Sequence, residues 1–185
     1  MQDDGDMAKE STALKELKAA SRKEPGPEYA DRLDAELEGQ SDRAAVILVS
    51  TVIEDALERR IRLEMRTMTD KEADDLFGFE KPLGTFSARI SIGWAMSIYG
   101  GRTKRDLNHI RALRNACAHS RFPLTFAEEL APVARLLSLP EFISDLSEHD
   151  KSDPKRRFVA TCHAYSLAFQ AGHNLKLEHA QVLLA

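Results

Sequence analysis

Six consecutive residues, Ala44-Ala45-Val46-Ile47-Leu48-Val49, constrain this chain more than any other stretch. Ser41, just before them, is a favourable helix N-cap, because its hydroxyl can accept from a first-turn N–H that has no partner of its own. The spacing predicts a helix from 41 to about 67 whose first half is apolar on every face. A helix of that kind is stable only when covered all round. Only 6% of the residues are aromatic while Ala and Leu are abundant, so the cover is expected to be other helices rather than sheets. The predicted fold is therefore all-α: a single-domain bundle of about seven to eight helices with residues 44–63 at its centre. A chain of 185 residues is long enough to bury such a core.

Punctuation along the chain sets the other elements. Residues 1–27 read as a mobile N-terminal extension, with a short charged helix over 8–21 and a break at Pro25-Gly26-Pro27. Residues 28–185 read as the all-helical domain. Within it, a short helix over 28–38 stops at Gly39. Thr69 and Glu72 have capping-box spacing for a helix ending near Gly78. Pro82-Leu83-Gly84 is a turn. Phe86, Ile90, Trp94 and Ile98 recur every four residues and predict a helix over 86–99. Thr103 and Asp106 are placed to open the next helix, which stops before Pro123. Thr125 and Glu128 predict another, to about Leu137. Asp153-Pro154 is a cap followed by proline at the first helical position, starting a last helix to about Leu175.

Composition excludes several functions. The formal net charge is -4, so the whole molecule does not attract nucleic acid, and such a role needs a local basic surface. Two cysteines, Cys117 and Cys162, make no disulfide framework and no zinc-ligand spacing. No metal or cofactor is expected. No apolar stretch approaches the roughly 20 residues that span a bilayer, and no membrane association is expected. The acidic amino terminus lacks a signal-peptide core, which makes the cytoplasm the expected location.

Chemistry concentrates in Arg114-Asn115-Ala116-Cys117-Ala118-His119, at the end of a helix. Asn115 and His119 are four apart and share a face. Arg114 and His119 lie about 140° apart around the axis, so only the length of the arginine lets the two serve one site. Arg111, Arg114 and Arg121 crowd this segment and suit phosphate. An imidazole exchanges a proton near neutral pH. The bland reading is that His119 bonds the last carbonyls of its own helix and that Arg114 pairs with a buried carboxylate. Cys117 is expected to be a small packed residue rather than a reactive thiol. Glu54, Asp55 and Arg89 form a second group, each interrupting an apolar helix. Buried charges need partners, because desolvation costs several kcal/mol per ion. A structural polar network of Glu54, Asp55, Arg89 and Arg114 is the simplest account.

From Ser41 to about Leu137 the chain resembles the bacterial mannitol operon repressor family. Asp42-Arg43-Ala44, Ile53-Glu54-Asp55-Ala56-Leu57-Glu58 and Pro82-Leu83-Gly84-Thr85-Phe86-Ser87-Ala88-Arg89-Ile90 carry the likeness. So do Asp106-Leu107, Ile110-Arg111-Ala112-Leu113-Arg114-Asn115, Ala118-His119 and Leu124-Thr125-Phe126. The resemblance implies an all-helical transcriptional regulator without a helix-turn-helix. Such a regulator acts through a protein partner and is expected as a homodimer. Cys117 departs from the pattern, which more often has an aromatic there. Arg114-Asn115 and His119 are also similar to the signature of the wider HEPN superfamily. That likeness implies the alternative, a metal-independent ribonuclease with a site across a dimer. In it Arg114 binds phosphate, Asn115 orients, and His119 serves as acid or base.

The break at Pro25-Gly26-Pro27 yields a first test. Deleting residues 1–26 is expected to leave the melting temperature nearly unchanged, since so few apolar residues bury little surface. A large drop in a thermal scan would show that the segment docks.

Overall fold

The computed structural model describes residues 12, 13, 16, 17, 20, 35–37, 39–139, 147 and 151–172. The expected break at Pro25-Gly26-Pro27 lies outside them, as do most of the expected N-terminal extension and of the 28–38 helix. The chain divides into two units, Met1–Gly39 and Gln40–Ala185. In the second, the described residues form six helices: α1 (Asp42–Glu64), α2 (Asp70–Phe77), α3 (Phe86–Ala95), α4 (Gly101–His119), α5 (Ala131–Ala134) and α6 (Pro154–Gln170). The fold is all-α, a helical bundle with no sheet among the described residues. No described helix is long and apolar enough to cross a membrane.

Helix α1 is the centre. Ser41 Oγ accepts from Ala44 N at 3.2 Å and caps it, and Asp42 and Arg62 complement the dipole at its two ends. It packs against α3, α4 and α6. Ala45, Val46, Val49, Ile53, Ala56, Leu57 and Ile61 are fully buried. Ile47 and Leu48 are only half-buried, and Leu63 is exposed, so the cover is broad but not complete. Phe158, Tyr165 and Phe169 of α6 close the other side. Phe126 packs on Phe158 at 5.6 Å between ring centroids, and Tyr99 on Phe169 at 5.8 Å.

The capping box of α2 forms as its spacing requires: Thr69 Oγ1 accepts from Glu72 N, and Glu72 Oε2 accepts from Thr69 N at 2.9 Å. Those Thr69 bonds, with Arg66 beside them, hold the Glu72 carboxyl down at about 2. Asp153 caps α6 by accepting from Arg156 N at 2.7 Å.

Four boundaries differ from the sequence expectation, each for a local reason. Helix α3 ends at Ala95, not near Tyr99. The chain folds back so that Tyr99 is buried and donates to the Ile90 carbonyl at 2.7 Å. Gly93 makes this possible: a Cβ there would stand 2.9 Å from the tyrosine oxygen. Trp94, on the apolar repeat, is instead partly exposed, with the Lys104 ammonium 3.6 Å from its ring centroid. Helix α4 starts at Gly101, so Thr103 and Asp106 do not cap it and lie buried within it. The helix expected over 125–137 shrinks to four residues. Pro132 offers no N–H to the carbonyl of Glu128 and its ring crowds that position, so a helix cannot run through. Helix α6 stops at Gln170, followed by Gly172 in the left-handed region.

Asp106 shows what the early start of α4 provides. It is fully buried and accepts from Ser138 N and Ser138 Oγ at 3.1 Å each and from Tyr165 OH at 2.8 Å. Three donors on one carboxylate tie α4 to α6 and to the segment after α5.

The position of α1 makes Val49→Asp a direct test of the core. Val49 has no exposed surface, so an unpaired carboxylate there is expected to destabilise the fold by several kcal/mol. Urea unfolding measures it, and an unchanged midpoint would mean that α1 is peripheral.

Candidate functional site

The site is built on the last two turns of α4 and on the middle of α1. Arg89 of α3 is the connecting group. It is nearly buried, with 9% of its side chain exposed. Its Nη1 donates to Glu54 Oε1 at 3.2 Å, and its Nη2 forms an ion pair with Glu58 Oε2 at 2.7 Å. Its Nε donates to the Leu83 carbonyl at 2.9 Å and its Nη2 to the Phe77 carbonyl at 3.3 Å. The guanidinium fork therefore bridges α1, the end of α2 and the turn before α3. Gly84 lets that turn close tightly, since a Cβ would meet the Gly78 carbonyl oxygen at 2.3 Å.

Glu54 uses its two oxygens differently. Oε1 faces Arg89, and Oε2 faces Arg114 Nη2 at 3.5 Å. Burial pushes the Glu54 carboxyl above its ordinary range, and the two guanidiniums pull it back only in part. The sequence expects Glu54 to pair with Arg89 or with Arg114, and both pairs form. Asp55 takes no part in either ion pair: it is exposed on α1, and Glu58 stands in its place. Glu58 is four residues after Glu54, one helical turn along the same face, so spacing alone marks it.

Arg114 is not locked away. Its side chain is 37% exposed, and it is joined to the buried network by one long ion pair. Asn115 is half-buried and His119 is exposed at the last position of α4. No hydrogen bond joins Arg114 to His119 among the described residues; the guanidinium turns toward Glu54 instead. Arg111 lies half-buried and donates to Asn108 Oδ1 at 3.3 Å, while Arg121 is exposed beyond the helix. Cys117 is fully buried and burial pushes its thiol up, as a packed residue requires.

The end of α4 is fixed from outside. Arg43 Nη2 donates to the Ala118 carbonyl at 3.4 Å. Asp42 Oδ2 accepts from Phe126 N at 2.8 Å, and its Oδ1 meets Lys155 Nζ at 2.9 Å. Burial works to raise the Asp42 carboxyl, but the Phe126 N–H and Lys155 hold it below its usual range. The first turns of α1 and α6 thus converge on the loop that follows His119.

This arrangement presents a half-free guanidinium and an exposed imidazole near the end of one helix, about 140° apart around its axis, with a buried carboxylate behind the guanidinium. It can hold an anion and move a proton. Among the described residues no group of three or more His, Cys, Asp or Glu side chains is placed to hold a metal ion. Comparison with protein-family models, with curated proteins and with solved structures returned no match.

The two arginines are expected to behave differently. Arg89→Ala leaves Glu54 and Glu58 short of their buried partner and should destabilise by about 3–5 kcal/mol. Arg114→Ala leaves Glu54 still paired with Arg89 and removes a partly solvated contact, so it should lose less than about 1 kcal/mol. Denaturant titration of both variants decides. Equal losses would mean that Arg114 is structural.

Proposed function

We propose that this chain is a HEPN-type helical module that binds single-stranded RNA along the end of α4 and cleaves it without a metal ion. The observation that carries this reading is the exposure of His119 together with that of Arg114, whose one ion pair among the described residues is with Glu54. A side chain kept for packing has no need to reach solvent at both positions.

In this reading Arg114 holds the non-bridging oxygens of a phosphodiester, where its planar fork matches two acceptors. Glu54 stands behind it and sets its direction. His119 takes the proton from a ribose 2′-hydroxyl. The 2′-oxygen then bonds to phosphorus and the bond to the 5′-oxygen breaks, leaving a 2′,3′-cyclic phosphate and a 5′-hydroxyl. The departing oxygen needs a proton, which a second imidazole supplies. His119 gives each chain an exposed imidazole at a helix end, which suits a two-fold pair of chains, each supplying one.

A second reading has its own observation. Arg114 shares the buried Glu54 with Arg89, which ties the motif to the packing of the bundle. That is the arrangement expected of a regulator of the mannitol operon repressor type, acting through a protein partner.

The test is cleavage of a single-stranded RNA by purified protein in the presence of a chelator. His119→Ala is expected to lower the rate about 100- to 10,000-fold with the melting temperature unchanged. Wild-type protein that leaves the RNA intact would reject the ribonuclease reading and leave the regulator.

A further inference from the structure

Arg43 sits in the first turn of α1, where the partial positive charge of the helix end disfavours a cation. Its neighbour Asp42 gives no relief, being engaged by the Phe126 N–H and the Lys155 ammonium. Among the described residues Arg43 forms no ion pair. The hydrogen bond it makes among the described residues is to the Ala118 carbonyl at 3.4 Å, at the long end for such a bond. Arg60, Arg62, Arg66, Arg89 and Arg114 each meet a carboxylate, whereas Arg105, Arg111 and Arg157, like Arg43, meet only uncharged acceptors among the described residues. Arg43 is also half-buried, so its guanidinium is held in place rather than free in solvent.

Its position is as informative as its lack of a partner. The Ala118 carbonyl is one residue before His119 and opens toward the end of α4. Arg114 lies five residues before His119, about 7.5 Å back along the axis. Arg114 therefore lies behind His119 along the axis, and Arg43 reaches the helix end one residue before it. A strand of RNA passing over His119 offers phosphates on both sides of the one being attacked.

We propose that Arg43 is a further phosphate-binding residue of the Arg114–His119 edge, gripping a flanking phosphate of single-stranded RNA. The inference rests on the RNA-binding reading above. It makes the substrate a strand that continues past the scissile bond, rather than a mononucleotide or a chain end. The competing role for Arg43 is a cap on α4, in which the donor matters and the charge does not.

Glutamine separates the two roles, because Arg43→Gln keeps an N–H donor and removes the charge. The probe is a single-stranded RNA carrying 2′-O-methyl riboses, which binds but cannot be cut. Its affinity is measured at several salt concentrations for wild type, Arg43→Gln, Arg43→Lys and Arg114→Gln, beside a melting curve for each. One lost phosphate contact lowers the salt slope by about 0.7 and weakens binding roughly fivefold at about 0.1 M salt. The expected result is that loss for Arg43→Gln, with recovery in Arg43→Lys and little change in melting. If Arg114→Gln weakens binding while Arg43→Gln does not, the Arg43 role is wrong and the site reading stands. If Arg43→Gln loses binding only together with its melting temperature and Arg43→Lys recovers neither, the loss is one of folding and the Arg43 role is wrong. If wild-type protein does not bind the probe, both the site reading and the Arg43 role are wrong.

Discussion

The fold turns on one guanidinium. Arg89 enters from α3 into a place where a charge has little water, and it remains there because each part of its fork has an acceptor. Two carboxylates of α1 and two backbone carbonyls, of Phe77 and Leu83, surround it. The carbonyls matter as much as the acids. Phe77 ends α2, so its oxygen lacks a helical partner, and Leu83 lies in the tight turn before α3. An apolar side chain could fill the same volume but would orphan both oxygens. The path of the chain from α2 through the turn to α3 is therefore set by a side chain from the first turn of α3 itself.

From that point the structure separates stability from exposure. Glu54 is shared: its first oxygen belongs to the buried half of the network and its second to Arg114 at the solvent edge. The end of α4 has an independent support, where Asp42 and Arg43 reach the loop and the last carbonyls from the start of α1. The motif thus stands between two contacts from the same central helix, one near its start and one at its middle. A rigid platform under exposed polar groups is what binding or catalysis requires in physical terms.

Much of this was legible in the sequence where the signal is local. Ser41, Thr69 with Glu72, and Asp153-Pro154 start helices as their chemistry predicts, because caps act over three residues. The all-α bundle followed from the apolar run of α1. Where the expectation failed, a contact distant in sequence had won. Helix α3 stops early because Tyr99 finds the Ile90 carbonyl over Gly93, and no periodicity encodes that closure. Asp106 has the spacing of a dipole residue, but Ser138 and Tyr165 make it a buried acceptor. Pro132 was a local signal, and it breaks the helix expected over 125–137. In the site, the pairing of Glu54 with both arginines followed from the need to neutralise a buried acid. That Glu58 rather than Asp55 completes the group depends on which face of α1 meets α3. Arg43 was silent, since its target is a backbone carbonyl 75 residues away.

The shared carboxylate has a consequence for any anion that reaches this edge. Arg114 already has a resident counter-ion, so an incoming phosphate shares the guanidinium with Glu54 rather than filling an empty seat. The two arginines and two glutamates of the cluster sum to zero charge, and an arriving phosphate makes the sum negative. Such a site holds its anion loosely and lets it go quickly. Neutralising Glu54 would turn the same arginine into a trap, with tighter capture and slower release. The carboxylate behind the arginine thus acts as a spring on residence time, set by a residue that the anion need never touch.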